Sequence, residues 1–183
     1  MEGLLADAEE YFEVKPSSVQ GRGLFAKKDV HMGVILPYVA VPCPTGVEGD
    51  QRYAMNGFWC DEEGLAVPQQ EFYFDGSPHD DGPSSLAALV NESGTPNCIM
   101  LHNPLLSEAM IADAIRDSAR VAAALLIVVE HIPRGKEVLT FYGTTLTRDY
   151  PLSIANPVEQ AQKLDLAYDF LDAWINREAD DDS

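Results

Sequence analysis

Positive charge is scarce in this sequence. Its 183 residues carry 12 Lys and Arg against 30 Asp and Glu, a formal net charge of −18. Binding to nucleic acid needs a basic face toward the phosphates, so this balance argues against direct nucleic-acid binding. It suits a basic protein or peptide partner, because a negative surface steers cations inward; simple solubility explains the charge equally well. Cysteine is also sparse. Cys43, Cys60 and Cys98 lie far apart with no CxxC pair, which speaks against a zinc site or disulfide framework and for an intracellular, reducing setting, nucleus or cytoplasm. The longest apolar run, Val121 to Val129, is too short to cross a bilayer and reads as a buried strand, so no membrane association is expected. The opening "MEGLLADAEE" is acidic and lacks the apolar core of a signal peptide. No GxGxxG supports a dinucleotide fold and no GxSxG a serine hydrolase. His31, His79, His102 and His131 show no ligand spacing, and "HDD" at His79 to Asp81 reads as a solvated loop, so no metal site is expected.

What the sequence does hold is enough apolar material, 46% of residues, for one domain with a substantial core. Leu4, Leu5, Ala8, Tyr11 and Phe12 fit one face of an opening helix within an N-terminal extension, residues 1–13. Short β-like pieces follow, "GLFAK", "GVILPYVAV" and "EFYFDG", separated by the loop-forming "SSVQGRG", "PCPTGVEGD" and "DGSPHDDGPSS". "LFA" and "GVILPYVA" read as adjacent antiparallel strands. "SSLAALV" predicts a brief helix, "CIML" a strand, "SEAMIADAIRDSA" a helix and "RVAAALLIVV" a strand. Near the end, Asn156, Pro157 and Glu159 form a helix-start signal of N-cap, N1 proline and acidic third position. Leu164, Ala167, Tyr168, Leu171, Trp174 and Ile175 then make an apolar stripe that would dock on the domain body, or form a dimer interface. "READDDS" reads as a solvated tail closing the segment 151–183.

Three stretches remain. "GRGLFAKKDVHMG" holds Gly21-Arg22-Gly23, which alone is an ordinary turn. "IPRGKEVLTFYG" places Pro133 and Gly135 in a turn, extends through Glu137 to Thr140, and ends at Tyr142-Gly143. "ALVNESGTPNCIM" interrupts two apolar runs with Asn91-Glu92-Ser93 and Pro96-Asn97-Cys98, an elaborate means of making one turn.

Taken in order, "GRGLFA", "LPY", "DG", "LVNESGTPNC" and "IPRGKEVLTFYG" resemble the SET-domain protein lysine methyltransferases over roughly Val14 to Gly143. The wording is similar to the animal monomethylating members without cysteine-rich flanks, with PR-domain-like features in "EVLTFYG". The resemblance implies an α+β fold, mainly β with a few helices: small β-sheets with a knot-like crossing over residues 14–150, closed by a C-terminal helix. It implies S-adenosyl-L-methionine as cofactor and a lysine in a basic protein, such as a histone tail, as substrate. Tyr142 would be the catalytic tyrosine, with Tyr38 lining the site beside it. Gly21, Arg22, Gly23, Tyr38, Asn91, Glu92 and Tyr142 would hold the cofactor. Met100 and Phe141 would line the substrate channel, and Asn97 would fix the crossing. Ordinary turn, cap and packing roles account for the same residues without function. Two departures stand out: Glu92 replaces the family's histidine, and Met100 replaces a channel tyrosine. A SET-fold binding module with little or no methyl transfer is therefore the alternative reading.

Overall fold

The computed structural model describes residues 9–45, 54–63, 65–77, 85–142, 152 and 156–181. In chain order these form strands β1 (Phe12–Pro16), β2 (Arg22–Ala26), β3 (Ile35–Pro44), β4 (Ala54–Cys60) and β5 (Ala66–Asp75). A 3-10 turn (Leu86–Leu89) precedes β6 (Asn91–Glu92), β7 (Cys98–His102), helix α1 (Glu108–Asp117), β8 (Val121–Val128), β9 (Leu139–Thr140) and helix α2 (Pro157–Asp181). The architecture is mainly β with helices, including one at the C-terminal end, as the sequence suggests.

An antiparallel five-stranded sheet, ordered β4-β5-β3-β8-β7, forms the body. The continuous apolar text of β8 follows from burial on both faces. On one face Ala124, Leu126 and Val128 join Leu36, Tyr38, Ala40 and Cys98 in the main core. On the other, Leu125, Ile127 and Val129 meet Ile35, Ile99, Leu101 and the underside of α2. A bulge between Tyr38 and Val39 frees the Val39 N–H from the ladder, and it donates to Ser85 Oγ at 3.1 Å.

The N-terminal region departs from the expectation. Residues 9–11 are helical, but Phe12 begins β1 and is buried in the main core; Leu4, Leu5 and Ala8 lie outside the described residues. β2 pairs antiparallel with β1, not with β3. Its other edge bonds to the segment before β9, through Ala26 N–H to Lys136 O at 2.9 Å and Val138 N–H to Leu24 O at 2.8 Å. A strand with both edges satisfied has no place beside β3, which is occupied by β5 and β8. The short spacing between "LFA" and "GVILPYVA" suggests a hairpin, but β1 takes the place beside β2. β4 carries little alternation and was not expected as a strand.

Helix α1 is capped as its text implies: Ser107 Oγ accepts from Met110 N–H at 3.3 Å, and Ser118 ends it in the left-handed region. Helix α2 begins where expected, with Asn156 Oδ1 accepting from Val158 and Glu159 N–H at 3.2 and 3.3 Å. It docks on the sheet, but with a rotated face. Ala167 and Leu171 are buried, with Leu166, Phe170, Trp174 and Ile175 packed beside them, whereas Leu164 and Tyr168 are exposed. The helix also continues through Asp181, so "READD" is helical rather than a tail; residues 182 and 183 lie outside the description.

Candidate functional site

The turn before β2, the strand β6 and the strand β9 meet at one place. Gly21 adopts a positive φ of 51°, and its carbonyl accepts from Ser17 N–H at 2.9 Å. The next carbonyls in this turn face Asn91. Asn91 Nδ2 donates to Gln20 O at 3.1 Å, Arg22 O at 3.2 Å and Glu137 Oε1 at 2.8 Å. Two hydrogens are thus shared among three acceptors, joining segments 46 to 71 positions apart in sequence. Gly23 makes the join possible. A Cβ there would overlap Glu137 Oε1 and stand 2.9 Å from Asn91 Nδ2.

β6 and β9 run parallel, pairing Asn91 with Leu139 and Glu92 with Thr140. On its other side β9 is bonded to the far limb of the same loop. Asn97 N–H donates to Leu139 O at 3.1 Å, Asn97 Oδ1 accepts from Leu139 N–H at 2.9 Å, and Asn97 Nδ2 donates to Glu137 O at 2.9 Å. Thr140 Oγ1 donates to Cys98 O at 3.1 Å, and Ser93 N–H to Thr140 O at 2.8 Å. The strand 137–140 therefore runs between the two limbs of the 91–98 loop, held by both. The turn is elaborate because its two asparagine side chains satisfy backbone groups of the 20–23 turn and of the 137–139 segment that burial would otherwise leave unpaired.

Beyond β9 the chain turns onto the same loop. Tyr142 N–H donates to Glu92 Oε1 at 2.9 Å, and the Tyr142 hydroxyl donates to Val90 O. Glu92 is buried at 6% exposure, whereas Tyr142 keeps 41%. A carboxylate is thus inside the cluster and a phenol at its rim. Phe141, the residue before Tyr142, is half-buried.

Positions 22, 91, 92, 97 and 142 are accordingly brought together, and Glu137 and Gly23 with them. Tyr38 lies in the adjoining core and Met100 packs against it. Tyr38 is 5% exposed, packed in the same core as Val90, and its hydroxyl lies against Gly76. Burial first, then the charge of Asp75, pushes its phenol well above the ordinary tyrosine range, with a Gly76 backbone hydrogen bond acting the other way. Met100 is half-buried against that core, opposite Leu126. The Asn91 amide nitrogen is engaged by the protein and orders the 20–23 turn.

Sequence reasoning missed Glu137 and Lys163. Glu137 is hidden in the strand text "GKEVL", where a glutamate looks solvent-facing. Lys163 carried a usable signal, being a lysine on the docking side of an amphipathic helix, four residues after Glu159. Its ammonium is 2.8 Å from Pro96 O, 2.8 Å from Glu130 Oε1 and 2.9 Å from Glu159 Oε1. Burial works to lower its pKa, but the hydrogen bonds it donates to Glu130 and Glu159, with their charge, outweigh that and hold it above the ordinary lysine value.

Among the described residues no group of three or more His, Cys, Asp and Glu is placed to hold a metal ion, and no helix is long and apolar enough to cross a membrane. The expected loop at His79 to Asp81 lies outside the described residues. His102 is in β7 with its ring 3.9 Å from that of Phe58, and His31 and His131 are exposed neighbours.

No protein-family model and no curated protein matches the chain. Solved structures do. The chain is similar to a candidate histone methyltransferase of Plasmodium falciparum at 15% identity and a TM-score of 0.45, covering 74% of this chain and 95% of that one. It is similar to the methyltransferase domain of human PR domain-containing protein 2 at 15% identity and a TM-score of 0.48, covering 82% and 88%. A third is KRYPTONITE in complex with mCHH DNA, an H3(1-15) peptide and SAH, at 15% identity and a TM-score of 0.47, covering 76% of this chain and 25% of that one.

Proposed function

We propose that this protein transfers a methyl group from S-adenosyl-L-methionine to the side-chain amine of a lysine in a basic protein, such as a histone tail, within the nucleus or cytoplasm. The observation that supports it best is the meeting of the 20–23 turn, the Asn91-Glu92 strand and Tyr142, three segments remote in sequence. These are the stretches that carry the motif resemblance. The chemistry of the residues suits the cofactor: Glu92, a buried acidic side chain, follows Asn91 in the strand bonded to the 20–23 turn, and a carboxylate there would complement a sulfonium.

The cofactor, when bound, supplies the methyl group on a positively charged sulfur. The backbone of Gly21 to Gly23 and the Asn91-Glu92 strand would hold it, with the Glu92 carboxylate favouring its charge. Tyr142, half-exposed at the rim and fixed through its N–H and hydroxyl, would orient the incoming amine. The amine must be neutral to attack. From an ordinary pKa near 10.4, neutralising it at pH 7 costs about 4–5 kcal/mol, and an apolar channel beside a cation reduces that cost. The surplus of acidic residues would draw a basic tail toward the site.

Calorimetry with S-adenosylmethionine and S-adenosylhomocysteine on the wild type and Asn91→Ala tests cofactor binding. Binding to the wild type that weakens on loss of the Asn91 side chain is expected. No heat at millimolar ligand would overturn the enzyme reading in favour of a binding module. Tyr142→Phe should reduce methyl transfer to a lysine-rich peptide while leaving cofactor affinity nearly intact; unchanged transfer would remove Tyr142 from the mechanism.

A further inference from the structure

The C-terminal helix touches the candidate site through one buried side chain. Lys163 of α2 is 8% exposed, yet its ammonium is fully engaged by three chain segments: Pro96 O in the 91–98 loop, Glu130 after β8, and Glu159 one turn earlier in its own helix. The next residue along the loop, Asn97, carries the contact onward. Its carbonyl accepts from Val129 and Glu130 N–H at 3.0 and 3.3 Å, and its side chain grips β9 at Glu137 and Leu139. β9 leads directly to Tyr142. A buried ammonium removed from water is costly unless it is well paired. On a face otherwise formed by Ala167, Leu171 and their neighbours, an apolar side chain would pack without that cost.

We propose that Lys163 is a positioning residue: it fastens α2 to the Pro96-Asn97 limb, and so sets the spacing between the loop that would hold the cofactor and the strand that presents Tyr142. This rests on the methyltransferase reading for its catalytic consequence, but not for its structural one. Helix α2 is then a working part of the site, and its docking controls whether the loop stands in register with β9.

The test uses the full chain with Lys163→Met, which keeps the apolar stem and removes the ammonium, and Lys163→Arg, which keeps a donor to Pro96 O. Leu171→Ala serves as a control that loosens α2 docking without touching the clamp. Amide hydrogen exchange is read first. Lys163→Met should accelerate exchange at Leu139, Asn97 and Ser93 by about tenfold or more, the scale of one lost charged hydrogen bond, with β3 and β8 unchanged and Arg restoring part of the protection. Leu171→Ala should instead loosen the α2-facing side of β7 and β8. With S-adenosylmethionine and a lysine-rich peptide, Lys163→Met should lower kcat about tenfold, because Tyr142 loses its register with the loop, while the cofactor KM changes less, and Lys163→Arg should restore part of kcat. Unaltered exchange at Asn97 and Leu139 in Lys163→Met, or equal acceleration everywhere, would overturn the proposal. If the wild type neither binds nor uses the cofactor, the enzyme reading falls, and the exchange result alone decides the role of Lys163.

Discussion

Asn91 Nδ2 lies 2.8 Å from Glu137 Oε1, and the bond crosses the bare Cα of Gly23. These residues are 46 positions apart, and the same nitrogen also holds the Gln20 and Arg22 carbonyls, so the glycine is the one residue small enough to lie beneath. Gly23→Ala should destabilise the protein by about 1–3 kcal/mol, because the new methyl must break the Asn91–Glu137 bond or move the turn. Glu137 is the flexible partner. In a Glu137→Ala background the added cost of Gly23→Ala should shrink by at least half, measured by urea unfolding of all four members of the cycle. Additive costs would show that the clash lies elsewhere.

Much of this arrangement was readable from the residues, and what failed has a physical cause. β8 was readable because an unbroken apolar run is a local signal of a strand buried on both faces. The start of α2 was readable because Asn156, Pro157 and Glu159 act within one turn. Its buried face was misplaced by about one residue, since Leu164 and Tyr168 satisfy a stripe on paper while Lys163 takes the buried position. That choice depends on Pro96 and Glu130, which no window around Lys163 contains. Phe12 fits the opening helix on paper for the same reason: its partner strand β2, not its own pattern, makes Phe12 to Pro16 a strand. Motif order singles out residues that the fold brings together, but it carries no information on their partners: the bonds of Asn91 to Gln20, Arg22 and Glu137, and the packing of Tyr38 in the core, join segments remote in sequence.

Glu92 is the clearest departure from the family's wording, and it has a definite task here. Its Oε1 accepts the Tyr142 N–H at 2.9 Å from a position with 6% exposure. Glu92→Gln keeps an acceptor oxygen and should cost less than about 1 kcal/mol, whereas Glu92→Ala should cost about 1–3 kcal/mol and speed amide exchange at Tyr142. The charge has a separate readout. S-adenosylmethionine is cationic at sulfur and S-adenosylhomocysteine is not, so Glu92→Gln should weaken the first more than the second in calorimetry. An equal effect on both would confine Glu92 to its bond with Tyr142.

The three thiols should separate by burial. Cys98 is fully buried, and Cys60 is buried with its Sγ 3.3 Å from Asn103 O; Cys43 is half-buried near the end of β3. Desolvation pushes all three thiols above the ordinary cysteine range, aided by Asp75 at Cys43, Asp61 at Cys60 and Glu130 at Cys98. Thiolate is the reactive form. With a disulfide reagent at pH 8, Cys43 should label first and slowly, and Cys60 and Cys98 only at the rate of unfolding. Rapid labelling of Cys98 would mean that the β7–β8 pairing opens far more easily than its packing implies.

Tyr38 can be tested as a base through its proton. Burial, then Asp75, raises its phenol above the ordinary tyrosine range, so at neutral pH it holds its proton and cannot accept one from an amine. The sign for stability follows. A folded-state pKa above the unfolded value gives stability that is complete below the ordinary tyrosine pKa near 10 and is lost as pH rises toward the folded value. Tyr38→Phe has no proton to lose. Between the two values the wild type should therefore fall relative to Tyr38→Phe by about 1.4 kcal/mol per pH unit, in urea unfolding series from pH 9 upward. At neutral pH the variant should lose about 1 kcal/mol with its Gly76 contact, and its methyl-transfer pH profile should keep the wild-type midpoints. A shifted midpoint in Tyr38→Phe would place this residue in the chemistry; an unshifted one would exclude its proton from the pH profile.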